Sequence, residues 1–284
     1  MVEHEQEYPV LQMCQILEVP KSSYYYLRNK DKSNREICNS FIEEEIKEIF
    51  EESRKTYGIK RIQVELSSRG INIGHNKIAK IKQKNGIYPK MKRRYKQTTD
   101  SKHSNRVEAN ILDREFKADK PNDKWVSDIT YISTLEGWLY LSSVIDLYSR
   151  KVIGWSMSDT IDSKLVCDSL EMALSKRKDV YGCIFHSDRG SQYTSEAVRN
   201  KLLESNIIQS MSRKGNCWDN AVAESFFKTL KYDGDLIKVF KTKDEAKLCI
   251  FEFIEVFYNR KRRHSSISYF TPHDFELQYY QQIS

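Results

Sequence analysis

The sequence predicts an α/β fold, a mixed five-stranded sheet flanked by helices, preceded by small all-α segments. Two observations predict it. Beyond Pro121, β-branched and aromatic runs alternate with amphipathic helical stretches, whereas residues before about 90 show only short helical periodicity. Charge divides in the same place. Residues 1–112 hold 22 Lys+Arg against 15 Asp+Glu, and the remainder holds 25 of each, so the first part carries the whole net charge of +7. A basic module joined to a neutral one suits a chain that grips a polyanion with one part and does something else with the other.

Residues 10–28, VLQMCQILEVPKSSYYYLR, outline two short helices around Pro20, with Ser22 or Ser23 available as a cap. The theme repeats at 43–86. Ile46, Ile49 and Phe50 form one stripe, and Ile59, Ile62 and Leu66 form a second that stops at Gly70. A third helix starts near the capping residue Asn76, buries Ile78 and Ile81, and ends at Gly86. Lys77, Lys80 and Lys84 share one face of it. From Lys77 to Thr99 there are nine basic residues, among them Arg93 and Arg94, and no acid. Such a run repels itself and is best neutralised by phosphates. Three short helices with a basic last one fit a DNA-binding helix-turn-helix, though a solvated lysine face has the same pattern.

Residues 97–108 are polar and non-periodic and read as a linker. The expected organisation is a helix-turn-helix-like segment at 1–40, a helix-turn-helix domain with a basic tail at 41–96, a linker at 97–117 and a core at 118–284. In the core, 124–134, 138–148 and 151–158 read as a three-stranded meander. Residues 163–177 read as a helix, 183–188 as a strand, 195–206 as a helix, 207–211 as a strand, and 220–231 and 244–260 as helices.

Six cysteines without a C-x-x-C pair read as reduced thiols, and the acidic N-terminus does not resemble a signal peptide. The most apolar stretch, Trp138 to Trp155, contains Asp146, Arg150 and Lys151, so no membrane span is expected. These features suit an intracellular, cytoplasmic protein.

Three acids stand out. Asp128 lies in the strand WVSDITYI, sharing a face with Val126, Thr130 and Ile132. A turn-bonded structural aspartate would account for it alone. Asp188 ends an apolar strand in FHSDRGSQYTS, where open α/β sheets place ligands; Gly190 follows, with His186, Arg189 and Gln192 near it. Glu224 sits off the apolar stripe of NAVAESFFKTLK, and an exposed pair with Lys228 would explain it by itself. Taken together, two strand carboxylates and one helix carboxylate suit hard divalent cations such as Mg²⁺, which take few protein oxygens and complete their shell with phosphate and water. There is no G-x-x-x-x-G-K-[ST] loop and no nucleophilic triad geometry. Asp146 follows an apolar strand as well but lacks the WVSDIT context. Asp219 or Asn220 reads as the cap of the Glu224 helix, and Arg260 to His264, including Arg262 and Arg263, reads as a DNA-backbone patch.

WVSDITYI, HSDRGSQYTS and MSRKGNCWDNAVAESFFKTLK resemble the catalytic core of retroviral-type integrases and insertion-sequence transposases. The 35 residues between Asp188 and Glu224 match that family's D,D-35-E spacing. IDLYSRKVIGW, YNRKRRHSSISYFTPHDF and the helix-turn-helix at 55–87 are similar to the OrfB subunit of IS3-family transposases, so the resemblance spans nearly the whole chain. It implies an RNase H-like core, and Mg²⁺ or Mn²⁺ held, as two ions when DNA is bound, by Asp128, Asp188 and Glu224. It also implies Lys231 on DNA beside them, nicking at element ends and 3′-OH strand transfer. The implied partners are terminal-repeat and target DNA, further copies of the chain on DNA, and an OrfA portion; the implied location is the bacterial nucleoid. No His-His-Cys-Cys zinc module precedes the core, which favours a transposase over a retroviral integrase. A DNA-binding regulator without catalysis would not need all three acids, and a simple nuclease would not need helix-turn-helix modules.

Overall fold

The computed structural model describes residues 1–31, 33–90, 107–213 and 216–283. They form two compact units, Met1–Glu48 and Ile49–Ser284. Arg93, Arg94 and residues 97–106 of the expected linker lie outside the described residues.

In the first unit, α1 (Val10–Ile16) and α2 (Lys21–Asn29) follow the expected outline. The capping expectation fails, because α2 begins at Lys21 after Pro20 with no side-chain cap, which leaves Ser22 and Ser23 inside the helix. Proline at the N-cap presets φ without a side-chain bond. A third helix, α3 (Asn34–Glu52), runs across the division between the units.

The second unit opens with α4 (Ile59–Ser68) and α5 (His75–Lys84). Gly70 and Gly86 follow them with φ of +81° and +62°, left-handed positions that glycine takes without a Cβ penalty. Helix α5 starts two residues earlier than a cap at Asn76 would place it, with Gly74 as an N-cap lacking a side-chain bond. Ile62, Leu66 and Ile78 are fully buried, while Lys77, Lys80 and Lys84 are exposed. Lys82 is the exception in the basic run. It is buried, with its ammonium 4.6 Å from the Phe50 ring centroid.

The core sheet consists of β1 (Lys124–Thr134), β2 (Gly137–Asp146), β3 (Val152–Ser158), β4 (Ile184–Ser187) and β5 (Ile208–Met211), in the order β3-β2-β1-β4-β5. The meander β1–β2–β3 is antiparallel, and β4 and β5 add parallel to β1. The sheet is therefore mixed and five-stranded, as the sequence predicts. Helices α6 (Ser163–Lys176) and α7 (Glu196–Glu204) cover one face, where Trp125 and Val144 meet Val166, Leu170, Val198 and Leu202. Helix α6 crosses β3 at Gly154, where a Cβ would stand 2.2 Å from the Ser169 carbonyl oxygen. On the other face Val126, Ile132, Leu139 and Leu141 pack with α8 (Ala221–Asp233) and α9 (Lys243–Phe251).

The long helix expected at 244–260 is not uniform. After α9 the chain winds as a π-helix from Glu252 to Tyr258, and this run buries Phe253, Ile254, Phe257 and Tyr258. Its wider turn changes which side chains face the sheet, which a 3.6-residue period does not anticipate. Helix α10 (Pro272–Ile283) ends the described chain. No helix among the described residues is long and apolar enough to cross a membrane.

Candidate active site

Strand register brings two of the acids side by side. The last β1–β4 pair is Val126 with His186. Two residues further along each chain stand Asp128 and Asp188, on neighbours that run about 4.8 Å apart. Asp128 is 7% exposed, and its Oδ1 accepts the N–H of Ile129. Asp188 is half-buried just past the end of β4, and its Oδ1 accepts the Gly190 N–H at 2.9 Å. Space at Gly190 is tight. A Cβ there would lie 2.8 Å from Gln192 Oε1 and 3.1 Å from Asp188 Oδ1.

Glu224 occupies the first turn of α8, where the helix dipole favours an anion. Lys228 Nζ stands 3.8 Å from its carboxylate, so the i,i+4 pair exists, yet the Glu224 side chain is only 14% exposed against 62% for Lys228. A plain surface pair would leave both in water. Lys231, one turn further on, is half-buried and charged toward Asp128.

The electrostatics follow from this crowding. Burial pushes the Asp128 carboxyl well above its ordinary range. The negative charge of Asp188 adds to the shift and that of Glu224 adds less, while the Ile129 N–H and Lys231 oppose it. Burial raises Glu224 too, and Lys228 restrains it. Burial lowers the Lys231 ammonium against the pull of Asp128. Among the described residues no three His, Cys, Asp or Glu side chains stand together so as to hold a metal ion. The donor set nonetheless suits a hard cation, being a buried carboxylate raised by a second carboxylate beside it, with a third within electrostatic reach.

Several supporting residues escape sequence reasoning. Tyr193 is 1% exposed, and its hydroxyl pairs with Ser127 Oγ at 2.9 Å, directly behind Asp128. The expected cap of α8 is replaced by a clamp, because α8 has no side-chain cap bond. The fully buried Asp219 carboxylate instead accepts from the backbone and guanidinium of Arg213, from Arg114 Nε and from Asn110 Nδ2. Asn220 Nδ2 donates to the Ser127 carbonyl at 3.2 Å, tying the start of the Glu224 helix to the strand of Asp128. The available signal was the polarity of NCWDN just before an apolar helix; the partners at 110, 114 and 127 lie too far away in sequence to be read from it.

Two other expectations are corrected. Arg262 is not at a DNA-facing surface. It is buried, donates to Asp233 Oδ2 at 2.8 Å and faces the Tyr258 ring. Arg263 is drawn inward, with Nε on Glu65 Oε2 at 2.7 Å and Nη2 on Ser68 Oγ at 3.1 Å, while its backbone N–H donates to the Tyr57 hydroxyl. Arg260 and Lys261 are the exposed cations of that cluster. Asp146 belongs to a separate buried network. It accepts the N–H groups of Asn122 and Tyr148, lies 3.9 Å from Arg177, and is raised to about 6 by burial against those partners.

Family models match the chain in three places: an HTH-like domain at residues 39–95 and an integrase core domain at 118–217 and again at 205–272. The transposase InsF for insertion sequence IS3A of Escherichia coli (strain K12) is 38% identical, covering 96% of each protein. Among solved structures, the catalytic core domain of HTLV-2 integrase in complex with magnesium aligns at 16% identity with a TM-score of 0.43, over 56% of this chain and 99% of that one. The uncharacterized 31 kDa protein of insertion element IS600 from Shigella sonnei is 39% identical, covering 95% of this chain and 99% of that protein. With such identity extending over nearly the full length of both partners, the chain belongs to the IS3 family of insertion-sequence transposases.

Proposed function

We propose that this chain catalyses DNA transposition by nicking at the ends of its element and then joining the freed 3′-OH to target DNA, with Asp128, Asp188 and Glu224 as the metal-holding acids. The observation that carries the reading is the pairing of Asp128 and Asp188 on adjacent parallel strands, close enough for one charge to raise the other. Bound Mg²⁺ or Mn²⁺, two ions once DNA is present, would supply charge stabilisation and an activated hydroxyl for in-line phosphoryl transfer. The protein's own contribution is positional. Asn220 and the Asp219 clamp fix the first turn of α8 against β1, and the Gly190 N–H orients the Asp188 carboxylate. Lys231 neutralises phosphate charge beside Asp128.

The exposed Lys77, Lys80 and Lys84, continued by Arg93 and Arg94, supply a basic face for the terminal repeats, with 41–96 and 118–284 as working domains. Further copies of the chain and an OrfA portion complete the assembly on DNA in the nucleoid. The test incubates the full chain, with the OrfA portion supplied, with labelled element-end DNA and Mg²⁺. Joined products that vanish in Asp188→Asn are expected. Binding without metal-dependent cleavage would sink the reading, and hydrolysis without joining would reduce the protein to a nuclease.

A further inference from the structure

Two aromatic side chains near the active site are exposed where burial would be ordinary. Tyr131 on β1 is 53% exposed and Trp138 on β2 is 50% exposed. Their rings meet edge to face, with centroids 5.0 Å apart. Strand β1 has β4 beside it only from Lys124 to Val126, and the next bridge on that side is Thr134 with Phe240. Between those points the described residues give that edge no strand partner, and Lys231 reaches Tyr131 there, with Nζ 4.8 Å from the ring centroid. The exposed Lys238 and Lys241 flank Phe240, whose backbone bonds to Ser133 and Leu135. An aromatic pair bordered by lysines, on the strand that carries a catalytic acid, is the composition of a single-strand nucleic-acid platform.

We propose that Tyr131 and Trp138 form a stacking subsite for one unpaired DNA base near the reacting phosphate. This rests on the transposase reading of the same site. Tyr131 lies three residues along the strand from Asp128, roughly 10 Å at about 3.3 Å per residue, and on the alternate face of the pleat, so the two are linked around the open edge of β1, where Lys231 reaches the Tyr131 ring and feels the Asp128 charge. Stacked nucleotides advance about 3.4 Å along a strand, so the base concerned lies about three nucleotides from the phosphate at Asp128. Opening a DNA end there costs a few kcal/mol in lost pairing and stacking, which an aromatic face offsets without regard to base identity. Lys231 would connect the two places, since one ammonium serves the Tyr131 ring and feels the Asp128 charge.

The test compares two probes on the full chain in Mg²⁺, with the OrfA portion supplied: a duplex with a three-nucleotide unpaired overhang carrying 2-aminopurine at the third position, and a blunt duplex of equal length. Wild-type protein is expected to quench the 2-aminopurine and to prefer the overhang. Trp138→Ala and Tyr131→Ala should each weaken overhang binding roughly 5- to 150-fold and leave blunt binding unchanged. Trp138→Phe, which keeps a flat ring, should retain most of the preference. Equal losses on both probes, or no loss on either, overturn the subsite. A change in sedimentation with unchanged DNA binding overturns it as well, because it makes the patch a contact between copies. Joining activity is scored on the same preparations. Wild-type joining without overhang preference removes the subsite alone, whereas absence of joining removes the functional reading and leaves the binding comparison standing.

Discussion

Replacing Asp128 by Asn should make the metal-free protein more stable while abolishing its chemistry. Asp128 is 7% exposed, faces Asp188 across the sheet and has one backbone N–H and a partial contribution from Lys231 to compensate it. The sign follows from linkage. Its carboxyl in the folded chain titrates above the ordinary 3.8. Below pH 3.8 both states hold the proton and there is no penalty. As pH rises past 3.8 the unfolded chain releases its proton while the folded chain keeps it, and stability falls until the folded value is passed. At pH 7.5 wild type carries the penalty accumulated above pH 3.8, and the amide carries none. Removing an under-compensated buried charge is worth about 1–3 kcal/mol. At about 2–4 °C per kcal/mol for a unit of this size, Asp128→Asn should melt several degrees higher in EDTA. The gap should narrow at pH 4.5, and Mg²⁺ should raise the wild-type midpoint more than the variant's. An Asp128→Asn protein that melts at or below wild type in EDTA at pH 7.5 would refute the account of the site as a charge cluster awaiting a cation.

Two further substitutions probe the surroundings. Gly190→Ala places a Cβ 3.1 Å from Asp188 Oδ1 and should slow joining by about 10- to 100-fold without changing end-DNA affinity, since small displacements of reacting groups are that costly; a rate within twofold of wild type would show that the carboxylate has room to move. Arg262→Ala strands Asp233 in a buried site and should cost about 3–5 kcal/mol in thermal unfolding while the folded fraction binds DNA normally; a selective loss of DNA affinity would restore Arg262 to the DNA surface.

Sequence legibility tracks the range of the interactions involved. Strands β1 and β2 are readable because each is a β-branched or aromatic run, buried over most of its length and separated from its neighbour by a turn, and the parallel β4 because it is a short buried run bounded by Asp188. The acids proposed to hold metal stand where the sequence reading puts them, Asp128 on a strand and Glu224 on a helix. Caps are misread wherever a distant partner competes. Asp219 is a good N-cap in isolation, but Arg114 and Arg213 together offer its carboxylate stronger, charge-assisted bonds. Arg262 and Arg263 look like surface cations because five basic-type residues run together, yet Asp233 and Glu65 lie 29 and 198 residues away and cannot be seen from that run.

The supporting residues act behind the acids. Asn220 bonds the Ser127 carbonyl and Tyr193 the Ser127 hydroxyl, next to Asp128, while the Asp219 carboxylate is held by Arg213, Arg114 and Asn110. A cluster of like charges stays together without its cation only if the scaffold resists the repulsion. The resistance here comes from neutral or already satisfied groups behind β1 and α8: a hydroxyl pair at Ser127, an amide on the Ser127 carbonyl, and a carboxylate saturated by two guanidinium groups and an amide. Had lysines been used to neutralise the acids directly, the cluster would be stable without metal and would bind it less strongly. The half-buried Lys231 marks the limit of that compromise, because it lowers the Asp128 charge cost only in part.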